Sequence, residues 1–335
     1  MKIRCAIFSC MLIVCFASGR ISAQTNNSAK PDKIMVQTGF QTLALENSPA
    51  LQTVLDEAVS DAIKNFSSKG LKPDYVAATL IDLRDANHLK TANVRGEQKI
   101  YPASVVKMFY MTALMRGLED GKIKMTPELE RGLRDMIVIS SNEATQYIVD
   151  VLTDTSGGAE LDPKEFKVFA EKRNAVNRYF ASLGYNNINI NQKTFCEDAY
   201  GREQQFREGG KNRNMLTTNA TARLLTEIIM GKAVTAERSR QMLDLMRRDF
   251  SGKSDDADDQ GRGFTGIALN NLALKDAKLW SKAGWTSKTR HDAAYIETPG
   301  GLKFVLVVFT ENMSKERDLI PTIAEKVLDN LGKIK

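Results

Sequence analysis

The chain has 335 residues, of which 42% are hydrophobic and 26% are charged. These fractions are typical of a globular protein and exclude a disordered, a collagen-like or a coiled-coil chain, while the length allows one large domain or two smaller ones. The formal net charge of +6 falls to +3 without the three basic residues among the first 23, so charge gives no reason to expect a nucleic-acid or membrane-surface partner.

The first 23 residues have the pattern of a cleaved signal peptide. A basic start precedes an apolar run over 6–16, and small residues follow up to Ala23. Because the run is too short to span a bilayer as a helix, we expect cleavage after Ala23, export, and no stable membrane anchor. Lipid attachment at Cys10 or Cys15 is the alternative. The apolar run before Cys10 is too short for it, and Cys15 lacks the preceding small residue that lipoprotein processing favours.

Cysteine and histidine are scarce, which excludes several kinds of catalytic site. Cleavage would leave Cys196 alone, so we expect no disulfide in the exported chain and interpret Cys196 as a packing residue. The two histidines, His88 and His291, lie in no ligand motif, so neither a zinc site nor a Cys–His pair is supported. The G-x-S-x-G motif of Ser–His–Asp hydrolases is absent. We therefore expect no metal.

The chain begins and ends with strand patterns. Residues 24–45 are predicted to be a flexible leader, and a helix with apolar residues at spacings of three and four follows over 48–66. Extended segments are predicted over 75–82 and 89–100, and again over 278–284, 293–297 and 304–310, before a last helix over 315–331. Between them the pattern is helical, over 104–117, 127–138, 142–152, 163–183, 218–230 and 235–248.

This order predicts an α+β domain over 46–335 whose sheet is built from both chain ends. An α/β lobe over 46–102 and 277–335 would carry an inserted helical lobe over 103–276. A G-x-G-x-x-G pattern at 261–266 follows an acidic loop rather than a strand, so it is not interpreted as a dinucleotide site.

Three short motifs carry the chemistry, and each occurs once: Ser104-Val-Val-Lys107, Ser140-Ser-Asn142 and Lys282-Ala-Gly284. The first lies at a predicted helix start, where a spacing of three puts a hydroxyl and an amine on one face. A buried lysine whose pKa is depressed by a second cation can deprotonate a serine, and Lys282 could be that cation.

Each motif also has a purely structural interpretation. A serine in the first turn of a helix with a solvated lysine is a common combination, and Ser140-Ser-Asn142 could simply cap the following helix. In the functional interpretation, Ser140 relays a proton and Asn142 binds a substrate carbonyl. Gly284 lets a substrate backbone approach, and Arg290 at the start of the next strand is suited to a carboxylate.

The three motifs in this order resemble those of the penicillin-recognising serine enzymes, the β-lactamases of classes A, C and D and the D,D-peptidases. The segments YPASVVKMF, MIVISSNEAT, LTTNATARLLTEIIMGK and WSKAGWTSKTRHDAA are similar to class A in particular. The resemblance covers most of residues 48–333. It implies a β-lactamase/transpeptidase-like fold with a five-stranded antiparallel sheet, flanking helices and an all-α lobe. It also implies a periplasmic monomer that needs no cofactor.

Carried over by position, the resemblance makes Ser104 the acylated nucleophile and Lys107 its base. Ser140 would pass the proton to the departing nitrogen, and Asn142 would bind the substrate's side-chain amide. The backbone N–H groups of Ser104 and Trp285 would form the oxyanion hole.

The strand motif would bind the substrate. Lys282 would supply positive charge near the substrate carboxylate, with Arg290 assisting, and Ala283 and Gly284 would line the same edge. The expected substrate is a β-lactam or a D-Ala-D-Ala-like small molecule.

The sequence also departs from class A. Ser141 replaces the usual Asp and Ala283 the usual Thr, and Ser140 follows Ser104 by only 36 residues. The E-x-x-L-N motif, whose glutamate activates water for deacylation, is absent. Glu197 and Glu203 lie in about the right region, and both are candidates for that base.

Three functions stay open at this point. The leading one is a class A-like β-lactamase that turns over through a Ser104 acyl-enzyme. The second is a D,D-peptidase or another amide or ester hydrolase that β-lactams acylate and that is deacylated only slowly. The third is a non-catalytic sensor that binds penicillin or peptidoglycan, although binding alone would not require both lysines.

Overall fold

A computed structural model describes residues 32–196 and 198–334. The predicted signal peptide, the first part of the predicted leader and Glu197 therefore lie outside the described residues. Asp32–Lys335 forms one compact unit.

The unit contains strands and α-helices. The strands are β1 (Glu46–Asn47), β2 (Val76–Asp82), β3 (Lys90–Val94), β4 (Arg247–Arg248), β5 (Lys278–Trp285), β6 (Thr289–Glu297) and β7 (Lys303–Glu311). The α-helices are α1 (Pro49–Phe66), α2 (Val106–Glu119), α3 (Pro127–Val138), α4 (Asn142–Thr153), α5 (Pro163–Arg173), α6 (Ala175–Ser182), α7 (Gly201–Phe206), α8 (Thr218–Ile229), α9 (Ala236–Met246), α10 (Thr265–Asn271) and α11 (Leu319–Leu331). Short 3₁₀ turns cover Ser67–Lys69, Pro73–Tyr75, Ala103–Val105 and Glu208–Gly210.

The sheet is built from both ends of the chain, as predicted, but its strand count differs. Seven strands in the described residues follow the order β1-β3-β2-β7-β6-β5-β4. The prediction of five antiparallel strands is wrong in number because β1 and β4 have only two residues each, too few for an alternating pattern. The sheet is also mixed, since β1 runs parallel to β3 while the other neighbours are antiparallel.

Both faces of the sheet are covered, which explains the unbroken apolar run of β7. Phe304, Leu306 and Val308 join the cluster with α1, α10 and α11, whereas Val305 and Val307 join the cluster with the remaining large helices. A strand buried on both faces carries apolar residues at consecutive positions instead of alternating ones. The helix α10, from the predicted helical lobe, therefore packs with the terminal helices rather than with that lobe.

The packed domain begins before residue 46. Residues 32–45 contain no helix or strand, yet Ile34 is buried and Phe40 and Leu43 pack against the helical cluster. Asp32 also forms an ion pair with Arg178 of α6 at 2.8 Å. The described part of the predicted leader is therefore packed against the domain.

The segment predicted as one helix over 163–183 forms two, α5 and α6. Asn174 between them has φ −84° and ψ 5°, and its side-chain amide donates to the Ala170 carbonyl at 2.9 Å. An asparagine that bonds the backbone in this way competes with the helical hydrogen-bond ladder. The spacing of apolar residues does not reveal this local competition, so the sequence predicts one continuous helix.

Candidate active site

Ser104 lies in the 3₁₀ turn Ala103–Val105, directly before α2. The preceding Ala103 has φ +46°, in the left-handed region that costs energy for a residue with a Cβ. The turn is braced from β6, because the ring of His291 bonds the Tyr101 carbonyl at 2.9 Å. Burial lowers the pKa of His291 to about 4, so this ring is neutral.

Lys107 lies one residue into α2, and its side chain is fully buried. Its Nζ donates to the Ser140 carbonyl at 2.5 Å, to Ser140 Oγ at 3.2 Å and to Asn142 Oδ1 at 2.9 Å. Burial lowers the pKa of Lys107 to about 7, with the nearby Glu143 carboxylate opposing the shift. A neutral amine, which can accept a proton, is therefore well populated near pH 7.

The link between α3 and α4 presents Ser140 and Asn142 to this lysine. Ser140 has φ +60°, so the chain turns sharply there. The cap of α4 is formed by the neighbouring Ser141, whose Oγ accepts from the Ala144 amide at 3.1 Å. Because Ser141 does the capping, the side chains of Ser140 and Asn142 are left to face Lys107.

Lys282 approaches the same hydroxyl from β5. Its buried Nζ donates to Ser140 Oγ at 3.0 Å, to Gln260 Oε1 at 2.6 Å and to the Ala283 carbonyl at 2.7 Å. Burial lowers the pKa of Lys282 well below its usual value, and the positive charges of Lys107 and Arg248 add to the effect. Ser140 Oγ thus accepts from two lysines, and its own proton is free to point toward a substrate.

The edge of β5 lies against the Ser104 turn. A Cβ on Gly284 would lie 2.7 Å from the Ser104 nitrogen and 2.8 Å from the Pro102 oxygen, so only glycine fits. On the outer edge the Ala283 amide donates to Gln260 at 3.3 Å. Since alternate residues of a strand direct their amides to the same edge, the Trp285 amide faces this edge too. The nitrogens of Ser104 and Trp285, the two predicted oxyanion-hole donors, therefore lie near the same end of β5.

Two predicted substrate contacts are not brought to the site. Arg290 pairs with Trp285 across the strands, and Ala283 with Asp292, whereas Lys282 pairs with Ala293. Directly paired residues share a face, and successive residues alternate, so the side chains of Arg290 and Ala283 lie on the face opposite Lys282.

The contacts of Arg290 agree with this placement. Its guanidinium donates to Asp258 at 2.6 Å and to the Gly263 carbonyl at 2.5 Å, and it stacks 3.8 Å from the centre of the Phe264 ring. The prediction that Arg290 binds a substrate carboxylate is therefore wrong. Ala283 can contact a substrate only through its backbone.

Glu203, a predicted candidate for the water-activating base, is held inside the protein. It is buried, and both of its oxygens accept from Arg173 Nη1, at 2.8 and 2.7 Å, while Lys193 pairs with it at 3.2 Å. Because both oxygens of this buried carboxylate are already bound by cations, Glu203 is not placed to bind and activate a water molecule. Glu203 therefore anchors the 191–216 loop, and Glu197 lies outside the described residues.

Four residues at the site lie outside the three sequence motifs: Gln260, Arg248, Cys196 and Glu143. Gln260 bridges Lys282 to the Val138 carbonyl at the end of α3, where its Nε2 donates at 2.9 Å. Arg248 Nη2 donates to the Ser281 carbonyl at 2.8 Å. Both belong to segments with no recognisable motif, so only the fold reveals them.

Cys196 was interpreted as a packing residue, and that interpretation is wrong. The thiol is exposed and lies between Asn142, whose Nδ2 donates to Sγ at 3.5 Å, and Glu143, whose Oε1 accepts from Sγ at 3.2 Å. Cys196 therefore lies at the edge of the site.

The described residues hold no group of three or more His, Cys, Asp or Glu side chains placed to bind a metal ion. Over the same residues, no helix has the length and apolar character needed to cross a membrane.

The arrangement is suited to acyl transfer by a serine. Ser104 precedes by three residues a buried lysine whose pKa is about 7, and Ser140 Oγ accepts from that lysine and from Lys282. The Ser104 and Trp285 amides lie near the same end of β5. Groups of these kinds can serve the formation or collapse of a tetrahedral intermediate.

Solved structures share this fold. A beta-lactamase from Sphaerobacter thermophilus matches with a TM-score of 0.60 at 20% identity, covering 84% of this chain and 99% of that one. PBP-A matches at 0.58 and 19%, covering 88% and 100%, and a class A beta-lactamase from Bacteroides cellulosilyticus at 0.58 and 15%, covering 86% and 100%. Comparison with curated protein sequences finds no match.

The family comparison agrees with the fold and the site. The model of the beta-lactamase enzyme family matches residues 58–331, which span all three motifs. The chain therefore belongs to the beta-lactamase enzyme family, as a serine hydrolase of the β-lactamase superfamily.

Proposed function

We propose that this protein is an exported, class A-like serine β-lactamase that opens β-lactam amides through an acyl-enzyme on Ser104. The observation that carries the proposal is the convergence of Lys107 and Lys282 on Ser140 Oγ, at 3.2 and 3.0 Å, beside the Ser104 turn. A purely structural serine and lysine would not need a second buried lysine at the same hydroxyl.

The first half of the reaction follows from these contacts. Neutral Lys107 takes the proton of Ser104, whose Oγ attacks the lactam carbonyl, and the amides of Ser104 and Trp285 bind the developing oxyanion. Ser140 gives its proton to the lactam nitrogen as the C–N bond breaks, and it recovers a proton from Lys107. The product is an ester on Ser104 with the former lactam nitrogen as an amine.

Export is part of the proposal and is supported by the basic start, the apolar run over 6–16 and the small residues before Gln24. The periplasm of a two-membrane bacterium is the expected compartment. Amino-terminal sequencing of the exported chain should find Gln24 first, and an uncleaved or lipid-modified chain would contradict the proposal.

A D,D-peptidase is the second candidate, because Glu203 is unavailable and the chain lacks E-x-x-L-N. Steady-state hydrolysis separates the two. The wild-type protein should consume many equivalents of benzylpenicillin and leave a D-Ala-D-Ala peptide intact, and Ser104→Ala should lose about 10⁴-fold or more of that hydrolysis. Cleavage of the peptide with a persistent penicilloyl adduct would favour the peptidase instead.

A further inference from the structure

A carboxylate that no motif singles out lies at the edge of the site. Glu143 is exposed in the first turn of α4, directly after Asn142. Its Oε2 accepts from Ser141 Oγ at 3.1 Å, and its Oε1 accepts from Cys196 Sγ at 3.2 Å. Because a donor contacts each oxygen, the carboxylate has a defined orientation while staying open to water.

Hydrogen bonds connect this carboxylate to the acylation base. Lys107 Nζ donates to Asn142 Oδ1 at 2.9 Å, and Asn142 Nδ2 donates to Cys196 Sγ at 3.5 Å. Cys196 in turn donates to Glu143. The path therefore runs from Lys107 to Glu143 through two side chains.

The other acids of this region are engaged elsewhere. Glu203 is held by Arg173, and Asp150 pairs with Lys193 at 2.7 Å. Asp198 has a side chain that is 97% exposed, and it pairs with Arg207 at 3.4 Å. Of the carboxylates in the described residues, Glu143 is the one that hydrogen bonds tie to the site.

The charge state of Glu143 suits a base. The backbone N–H of Glu143 itself, the Cys196 thiol and the Ser141 hydroxyl all bond this carboxylate, and together they hold its pKa below the usual value. Glu143 is therefore ionised at neutral pH and able to accept a proton.

We propose that Glu143 is the general base that activates water for deacylation of the Ser104 acyl-enzyme, with Cys196 and Ser141 as positioning residues. This inference rests on the proposed function. Water loses one proton to the Glu143 carboxylate as its oxygen bonds the ester carbonyl carbon. When the intermediate collapses, the bond from that carbon to Ser104 Oγ breaks, Oγ regains the proton, and the opened lactam leaves as a carboxylic acid.

The test follows the Ser104 adduct by rapid acid quench and intact mass after mixing with benzylpenicillin. Glu143→Gln keeps the size of the side chain but removes the base. It should form the adduct within threefold of the wild-type rate and lose it about 10²-fold or more slowly, the usual contribution of a general base. Glu237→Gln is the matched control, because Glu237 is also an exposed acid in a first helical turn, that of α9, and it should leave both rates unchanged.

Two further variants separate positioning from a structural role. Cys196→Ala removes the donor to Glu143 and should slow adduct loss three- to tenfold, whereas Cys196→Ser keeps a donor and should restore the rate. In the wild-type protein the rate of adduct loss should fall toward acid pH as Glu143 becomes protonated. The rate for Glu143→Gln should show no such fall.

The outcomes are distinct. If the wild-type protein turns over, adduct loss from Glu143→Gln within threefold of wild type would overturn this inference alone. A wild-type adduct that persists would contradict β-lactamase turnover, and this inference with it. A wild-type protein that forms no adduct at all would overturn the proposed function, and this inference with it, before any decay is measured.

Discussion

At the scale of single residues, the site depends on which side chain is buried with which partner. Lys107 and Lys282 are both fully buried, and burial lowers the pKa of each, with the charge of Lys107 adding to the shift at Lys282. In this environment the amine form of Lys107 is accessible near pH 7, while Ser140 accepts from both lysines. Two ordinary lysines thereby become a base and an electrostatic partner.

The acylation rate should depend on the protonation of Lys107. Since the base must be neutral and its pKa is about 7, the rate of adduct formation should rise with pH through that value and then level off. Lys107→Arg places a group there that stays protonated, and it should slow acylation by about 10²–10⁴-fold. Stopped-flow mixing with a chromogenic cephalosporin from pH 5 to 9 measures both. A flat profile, or an active arginine variant, would rule Lys107 out as the base.

The residues predicted from the motifs fall into two groups. Ser104, Lys107, Ser140, Asn142 and Lys282 are brought together, because each motif lies at the start or end of an element. Arg290 does not join them, because the register between β5 and β6 decides on which face of the sheet its side chain lies. A shift of one residue in the register would move the side chain to the opposite face.

Residues outside the motifs were beyond prediction. Gln260 and Cys196 reach the site from loops that have no periodicity, so only the packing of those loops reveals their contacts. Glu143 could be seen in the sequence beside Asn142, but nothing there indicated that a distant thiol would orient it.

At the scale of elements, the spacing of apolar residues predicts the bounds of the long helices and strands well. The helix predicted over 127–138 is α3 with the same bounds, and the strand predicted over 278–284 is β5 with one more residue. The pattern failed for β1 and β4, which are too short to show a period, and for the break between α5 and α6, which depends on one side-chain hydrogen bond.

The contact between β5 and the Ser104 turn is the most sensitive junction of elements. Gly284→Ala would place a methyl group 2.7 Å from the Ser104 nitrogen, so the strand or the turn must move. Because a displacement of about 1 Å can cost about 10²-fold in rate, acylation should fall by about that factor. The rate of adduct formation by intact mass measures it.

A matched glycine provides the control for this substitution. Gly300 lies in the turn before β7, and the nearest atom to its added Cβ, Thr298 Oγ1, is 3.8 Å away. Gly300→Ala should acylate at the wild-type rate. Equal rates for both variants would show that the close approach at Gly284 is not needed.

At the scale of the whole molecule, the sheet made from both chain ends carries the site. The motif on β5 comes from the carboxyl-terminal part and meets two motifs from the helical insertion, so the site exists only in the complete fold. The described segment before β1 also belongs to this fold, since Ile34 is 1% exposed within the helical cluster.

Packing of that segment predicts a stability effect far from the site. Ile34→Ala removes a buried side chain and should lower the free energy of unfolding by about 2–5 kcal/mol. Met35→Ala, at a neighbouring side chain that is 47% exposed, should change it by less than about 0.5 kcal/mol. Urea unfolding followed by circular dichroism compares them, and equal midpoints would show that residues 32–45 contribute nothing to the core.

The central claim is that Ser104 is acylated by a β-lactam. The most direct measurement mixes the exported chain with benzylpenicillin, quenches with acid within seconds, and locates the adduct by peptide mapping. We expect one penicilloyl group on the peptide that contains Ser104, and none in Ser104→Ala. No adduct, or an adduct on another nucleophile such as the exposed Cys196, would contradict it.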